Sequence, residues 1–128
     1  MTEIKKAKIP VASEHSEQVA VFEWAELASG RHPELALMFA VPNGGARNIV
    51  VARKMKAEGV KPGVPDIMLP VARKRFHGLA IEMKRRAGGR VSDDQLFWLD
   101  ALTEQSWLAV VCKGWEEAVA VIEGYLND

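Results

Sequence analysis

Three residues near the middle of the chain, Asp66, Glu82 and Lys84, have types and a spacing that suit chemistry on a phosphate ester. Asp66 follows Pro65 at the start of an apolar run, and Glu82 and Lys84 lie within a second apolar run. Because side chains alternate between the two faces of a strand, Glu82 and Lys84 share one face. If the two runs pair as a hairpin, the Asp66 carboxylate can lie beside that of Glu82, with the ammonium group of Lys84 alongside.

Two carboxylates at close range repel each other, and one of them must take up a proton unless a cation lies between them. Magnesium prefers oxygen ligands and is commonly held by one or two carboxylates, with phosphate oxygens completing its coordination. We therefore expect a Mg²⁺ site for phosphodiester hydrolysis, in which Mn²⁺ can replace Mg²⁺. In this hypothesis Asp66, Glu82 and the backbone carbonyl of Met83 hold one or two ions.

The segment that must position these groups, residues 61–86, has the features of a β-hairpin. Gly63 and Pro65 form a turn before the first strand, and a basic connection, residues 71–77, separates it from the second strand. In the second strand the alternation predicts that Ile81 and Met83 pack in the core. The face that carries Glu82 is predicted to be left small and charged.

Cap and breaker residues predict the elements before the hairpin. Ser13 can cap a helix from Glu14 to about Ser29. The apolar run 35–41 reads as a strand that ends at a turn, residues 42–45. Residues 46–58 have helical character with a basic side.

After the hairpin, Ser92 and Gln95 have the spacing of a capping box at the start of a helix. Residues 107–112 read as a buried strand and residues 115–126 as a closing helix. The resulting order of elements predicts an α/β fold in which helices flank a central mixed β-sheet.

Composition indicates one domain, residues 13–128, after a polar lead-in, residues 1–12. No segment reaches the length of a membrane span, and the first residues lack the apolar core of a signal peptide. We therefore expect a cytoplasmic protein without a membrane partner or a small-molecule cofactor. The single cysteine, Cys112, reads as a small buried hydrophobic residue, and one Cys with three scattered His cannot form a zinc site.

The net charge is zero, but the charges are sorted along the chain. Residues 47–90 contain twelve Lys/Arg against three acids, whereas residues 91–128 contain one Lys against eight acids. A basic segment around an acidic pair suits a site that binds polyanions and holds a metal. An ordinary solvated surface is the alternative reading of such charge runs.

Pro65–Asp66 followed by Glu82–Lys84 resembles the signature of the PD-(D/E)XK nucleases. Residues 42–45, residues 59–66 and Gln95 are similar to the VRR-NUC branch of that superfamily, and the resemblance covers residues 14–126. It implies a restriction-endonuclease-like core and a metal-dependent endonuclease that leaves a 5'-phosphate and a 3'-hydroxyl. It also implies that Lys84 orients the attacking water.

The resemblance also implies roles for residues outside the hairpin. A first-helix Glu with a Gln one turn later lies at the edge of the metal site in the family, which matches Glu14 and Gln18, with Glu17 as the alternative. Gln95 is expected close to the catalytic group, although its capping role would explain it equally. Glu14 could likewise serve only the helix dipole.

We expect the DNA to contact polar and basic residues around this centre: Asn43, Arg47, Lys54, Lys61, Arg85 and Arg86. The chain resembles stand-alone viral members of the family, which implies a homodimer that cuts Holliday junctions or branched DNA. The alternatives are a DNA nickase, a non-catalytic DNA-binding module, and a hydrolase of small phosphate esters.

Overall fold

A computed structural model describes residues 10–42 and 48–127. Its helices and strands follow the order expected from the sequence. The helices are α1 (Glu14–Ala28), α2 (Ile49–Ala57), α3 (Asp93–Glu104) and α4 (Trp115–Leu126). The strands are β1 (Phe39–Ala40), β2 (Ile67–Leu69), β3 (Leu79–Lys84) and β4 (Leu108–Lys113).

The four strands form one mixed sheet in the order β1-β2-β3-β4. β1, β2 and β3 pair antiparallel, which confirms the predicted hairpin, and β3 and β4 pair parallel through the α3 crossover. The predicted α/β fold with helices flanking a mixed sheet is therefore confirmed. None of the helices in the described ranges is long and apolar enough to cross a membrane.

The run 35–41 is not the continuous strand that its apolar character predicted. Its first part belongs to a short 3-10 helix, Pro33–Leu37, and only Phe39–Ala40 pairs with β2. Pro33 at the first helical position favours this turn, because its ring fixes φ at a helical value. The register between β1 and β2 is thus set by two residue pairs, Phe39 with Met68 and Ala40 with Ile67.

β3 is the central element of the sheet, and all six of its residues are buried. Leu79, Ile81 and Met83 belong to the main hydrophobic core together with residues of α1 and α4, such as Val21 and Ile122. The opposite face was predicted to be small and charged, and it is, but it is covered rather than open: Glu82 is 2 % exposed. Burial on both faces therefore encloses the carboxylate.

The helix ends match their caps. Ser13 accepts a hydrogen bond from the backbone of Ser16 at the start of α1, and Ser92 with Gln95 forms the predicted capping box of α3.

α1 and α4 pack against each other and both contact β3, whereas α3 packs on β4 and β3. α2 has no buried residue. The catalytic candidates thus lie where α1, α3 and the ends of β2 and β3 meet.

Candidate active site

Asp66 is fixed at the start of β2 by two hydrogen bonds. Its backbone carbonyl accepts from the N–H of Val41 at 2.8 Å, and its carboxylate accepts from the N–H of Met83 at 2.8 Å. The pairing of Ile67 with Ile81 continues by one residue to place Asp66 opposite Glu82. The side chains of Asp66 and Glu82 are therefore neighbours on the same face of the sheet.

Glu82 lies at the bottom of the site with its two oxygens in different situations. Oε2 accepts a hydrogen bond from Nε2 of Gln95 at 3.2 Å and lies 3.6 Å from Nζ of Lys84. Oε1 is buried and has no hydrogen-bond partner within the described ranges. An unpaired buried acceptor is costly, so this oxygen favours a partner that offsets its negative charge, either a proton shared with Asp66 or a cation.

The pKa of Glu82 also indicates that its carboxylate needs a proton or a cation nearby. The pKa of Glu82 is raised from 4.5 to about 9, chiefly by burial and then by the hydrogen bond and the negative charge of Asp66, while Lys84 acts in the opposite direction. Without a cation, therefore, Glu82 holds a proton at neutral pH. A divalent ion between the two carboxyl groups would displace that proton and restore the charged form.

Lys84 joins this pair from the same strand. Its side chain is 7 % exposed, and Nζ lies 3.4 Å from Oε1 of Glu14 in the first turn of α1. Glu14 is half exposed, so its carboxylate borders the site and also faces solvent. The structure thus places Glu14 beside Lys84, with its carboxylate partly open to solvent.

Glu17, the alternative to Glu14, is used elsewhere. It is 3 % exposed and accepts hydrogen bonds from Nε of Arg86 at 3.0 Å and from the N–H of Trp115 at 3.3 Å. Arg86 also pairs with Glu116, and these contacts raise the pKa of Arg86. This network ties α1 to the end of β3 and to the start of α4, and sequence reasoning did not identify it.

The other predicted contacts are scattered around the site. Lys54 lies on exposed α2, Lys61 precedes the turn before β2, and Arg85 follows β3 on the surface. Asn43 and Arg47 lie outside the described residues. Arg86 forms ion pairs with Glu17 and Glu116, and a contact with DNA would compete with these pairs. That contact stays a prediction.

Gln95 forms the predicted capping box and also lies beside Glu82. Its side chain accepts a hydrogen bond from the N–H of Ser92 at 2.8 Å and donates to Glu82. The Gly63 turn packs directly on this helix start: a Cβ on Gly63 would lie 2.5 Å from the backbone of Asp94, and its φ is +83°. Glycine is therefore required where the β2 turn meets α3.

The donor set fits a hard divalent cation. Two carboxylates, one with an unpartnered oxygen, converge beside an open groove of about 1140 Å³. The described part of the chain contains no group of three or more His, Cys, Asp and Glu side chains placed to hold a metal, so the candidate side-chain ligands are the two carboxylates of Asp66 and Glu82. Magnesium needs only one or two carboxylates when phosphate and water complete its shell.

Fold and site together define a nuclease-type α/β domain that acts on DNA. The model of the VRR-NUC domain family matches residues 6–116, and the chain belongs to that family. A solved structure described as a VRR-NUC domain protein superposes with a TM-score of 0.77 at 28 % identity and covers 93 % of each chain. No curated protein matches the chain.

Proposed function

We propose that the protein is a Mg²⁺-dependent endonuclease that hydrolyses phosphodiester bonds in branched DNA, with Mn²⁺ able to replace Mg²⁺. The observation that carries the proposal is the convergence of Asp66, Glu82 and Lys84, in which the buried Oε1 of Glu82 has no hydrogen-bond partner among the residues that the structure describes. Membership of the VRR-NUC family supports the nuclease class. The domain that performs this function is residues 13–128.

In this proposal Asp66, Glu82 and the backbone carbonyl of Met83 hold the ion, and Glu14 reaches it directly or through water. The ion would supply Lewis-acid stabilisation of charge on the scissile phosphate. The chain's own groups do the rest: Lys84 donates hydrogen bonds to the attacking water and to the phosphate.

Gln95 holds the Glu82 carboxylate in place through its 3.2 Å hydrogen bond. Because the same side chain also caps α3, the position of the carboxylate is coupled to the start of that helix. We assign Gln95 this positioning role in addition to its capping role.

We further propose that the active form is a homodimer that selects Holliday junctions or related branches. Paired cuts on two strands are made most simply by two sites related by a two-fold axis. A nickase without structural preference is the second candidate, because one complete set of catalytic groups lies within a single chain.

The decisive experiment measures conversion of supercoiled plasmid to nicked circles with Mg²⁺, with Ca²⁺ and with EDTA. Four-way junction, flap, single-stranded and duplex substrates are then compared at equal concentration, and the mass in solution is measured alongside. Cleavage that requires Mg²⁺ and favours the junction supports the proposal. A protein that binds DNA but cuts none of these substrates in Mg²⁺ or Mn²⁺ would instead be a binding module.

Lys113 offers a matched control for the catalytic lysine. It pairs with Lys84 in register across β3 and β4, but its side chain is exposed. Lys84→Met should abolish cleavage while Lys113→Met leaves it unchanged. Activity on a chromogenic phosphodiester without activity on DNA would favour a small-ester hydrolase.

A further inference from the structure

The groove that contains the catalytic groups is much longer than those groups require. Part of it runs along α1 and is here called the α1 groove. Two apolar residues and two acids of α1 line the α1 groove together with two residues that follow β1: Val19, Phe22, Glu23, Glu26, Val41 and Pro42. Phe22 packs on the core with part of its ring exposed, and Val19 is 41 % exposed. The α1 groove therefore offers an apolar surface to a ligand.

The charges of the described residues that line the α1 groove disfavour a phosphate backbone. Glu23 and Glu26 border it, and neither makes an ion pair with a basic residue of the described ranges. Within those ranges, Lys84 at the catalytic end is the single Lys or Arg that lines the whole groove. Because every nucleotide carries a negative phosphate, acids without basic neighbours repel the backbone.

A neighbouring cavity, which shares Glu14 and Lys84 with the main groove, has a more basic lining. It has a volume of about 380 Å³ and is lined by Arg85 and Arg90 beside Gly88 and Gly89. Neither arginine pairs with a carboxylate of the described residues. Phosphates are therefore attracted to this cavity and repelled from the α1 groove.

We propose that the α1 groove binds an unpaired nucleobase next to the scissile phosphate, while a neighbouring phosphate lies against Arg85 and Arg90. The inference rests on the proposed nuclease function and names its substrate class. A base within a duplex, or in a fully paired four-way junction, must be extruded before it can enter a side groove, whereas a base in a flap, a bulge or a loop is already free. The α1 groove thus selects DNA that has an unpaired nucleotide at the cut.

The first test adds a positive charge to the α1 groove. Val19→Lys places an ammonium group among the apolar and acidic residues, and Leu27→Lys makes the same change on α1 at a residue that is 88 % exposed and outside the lining. Binding is measured in Ca²⁺ on flap DNA, which carries unpaired bases, and on a fully paired four-way junction, over a range of salt concentrations. We expect Val19→Lys to bind about tenfold more weakly, the size of one lost base contact, and Leu27→Lys to bind like the wild type.

The second test examines the base itself. After the cut site is mapped with the wild type, 2-aminopurine or an abasic residue replaces each nucleotide beside it in turn. At one position we expect 2-aminopurine fluorescence to change on binding, and the abasic DNA to bind about tenfold more weakly. Phe22→Leu, which keeps an apolar side chain but removes the aromatic face, should reduce the fluorescence change.

The outcomes separate the two proposals. If the wild type cuts no DNA in Mg²⁺, the proposed function fails and this inference fails with it. If it cuts, but Val19→Lys tightens binding and steepens the salt dependence, the α1 groove takes phosphate and the inference alone is wrong. It is equally wrong if abasic DNA binds as well as normal DNA at every position, or if Val19→Lys instead abolishes a dimer, which would assign the groove to a second copy of the chain.

Discussion

The most informative perturbation is the replacement of Glu82 by Gln, combined with a change of pH. In the absence of metal the pKa of Glu82 is raised to about 9 by burial and by Asp66. A cation that binds between these groups must therefore displace one proton at neutral pH. Glu82→Gln keeps the size of the side chain but removes both the titration and the negative charge.

The magnitude follows from proton linkage. If binding of Mg²⁺ releases one proton from Glu82, the apparent affinity increases about tenfold for each unit by which the pH is raised, as long as the pH is below the pKa of Glu82. Above that pKa the affinity no longer changes with pH. Titration calorimetry at pH 7 in two buffers of different ionisation enthalpy should show release of about one proton per ion. Glu82→Gln should bind Mg²⁺ weakly, with no such pH dependence.

The same group affects the stability of the metal-free protein, with a defined sign. The pKa of Glu82 in the folded protein lies above its ordinary value of 4.5, so protonation of Glu82 stabilises the fold, and this stabilisation is complete below pH 4.5. The stabilisation is lost as the pH rises from 4.5 to about 9, and the stability of the wild type falls over this range. Glu82→Gln should remove that part of the decline. Mg²⁺ affinity independent of pH, or equal in Glu82→Gln, would refute the assignment of Glu82 as a ligand.

Three further outcomes are expected. Lys84→Met should lower the rate of plasmid nicking in Mg²⁺ by at least about 100-fold with little change in thermal stability, because its ammonium group acts on charge that develops during cleavage; an undiminished rate would contradict the mechanism. Glu17→Ala should lower the free energy of unfolding by about 2 kcal/mol in denaturant titrations, since it removes a buried carboxylate and leaves the partly buried N–H of Trp115 without its acceptor; Glu17→Gln should recover part of that loss, and equal losses would argue against the hydrogen bond. Gly63→Ala should lower both stability and the cleavage rate, because a Cβ there meets the backbone of Asp94 at a positive φ; a wild-type melting temperature would show that the turn adjusts freely.

The hairpin and its catalytic face could be predicted from the sequence because the relevant rules are local. The alternation of β3 puts Glu82 and Lys84 on one face, and the turn before Ile67 sets where β2 begins. The capping box at Ser92 likewise defines the start of α3 from four residues. The same rules misread residues 35–41, where a helical turn at Pro33 replaced most of an apolar strand.

The types of residue in the catalytic cluster and the order of the elements were therefore determined by the sequence itself. The tertiary structure decided how deeply Glu82 is buried, that Glu14 faces Lys84 while Glu17 is taken up by Arg86, and that acids line the α1 groove and arginines the neighbouring cavity. These features depend on contacts between residues far apart in the chain, such as Glu17 with Trp115. Periodicity, caps and turns report only on near neighbours, so distant contacts of this kind leave no pattern in a single sequence.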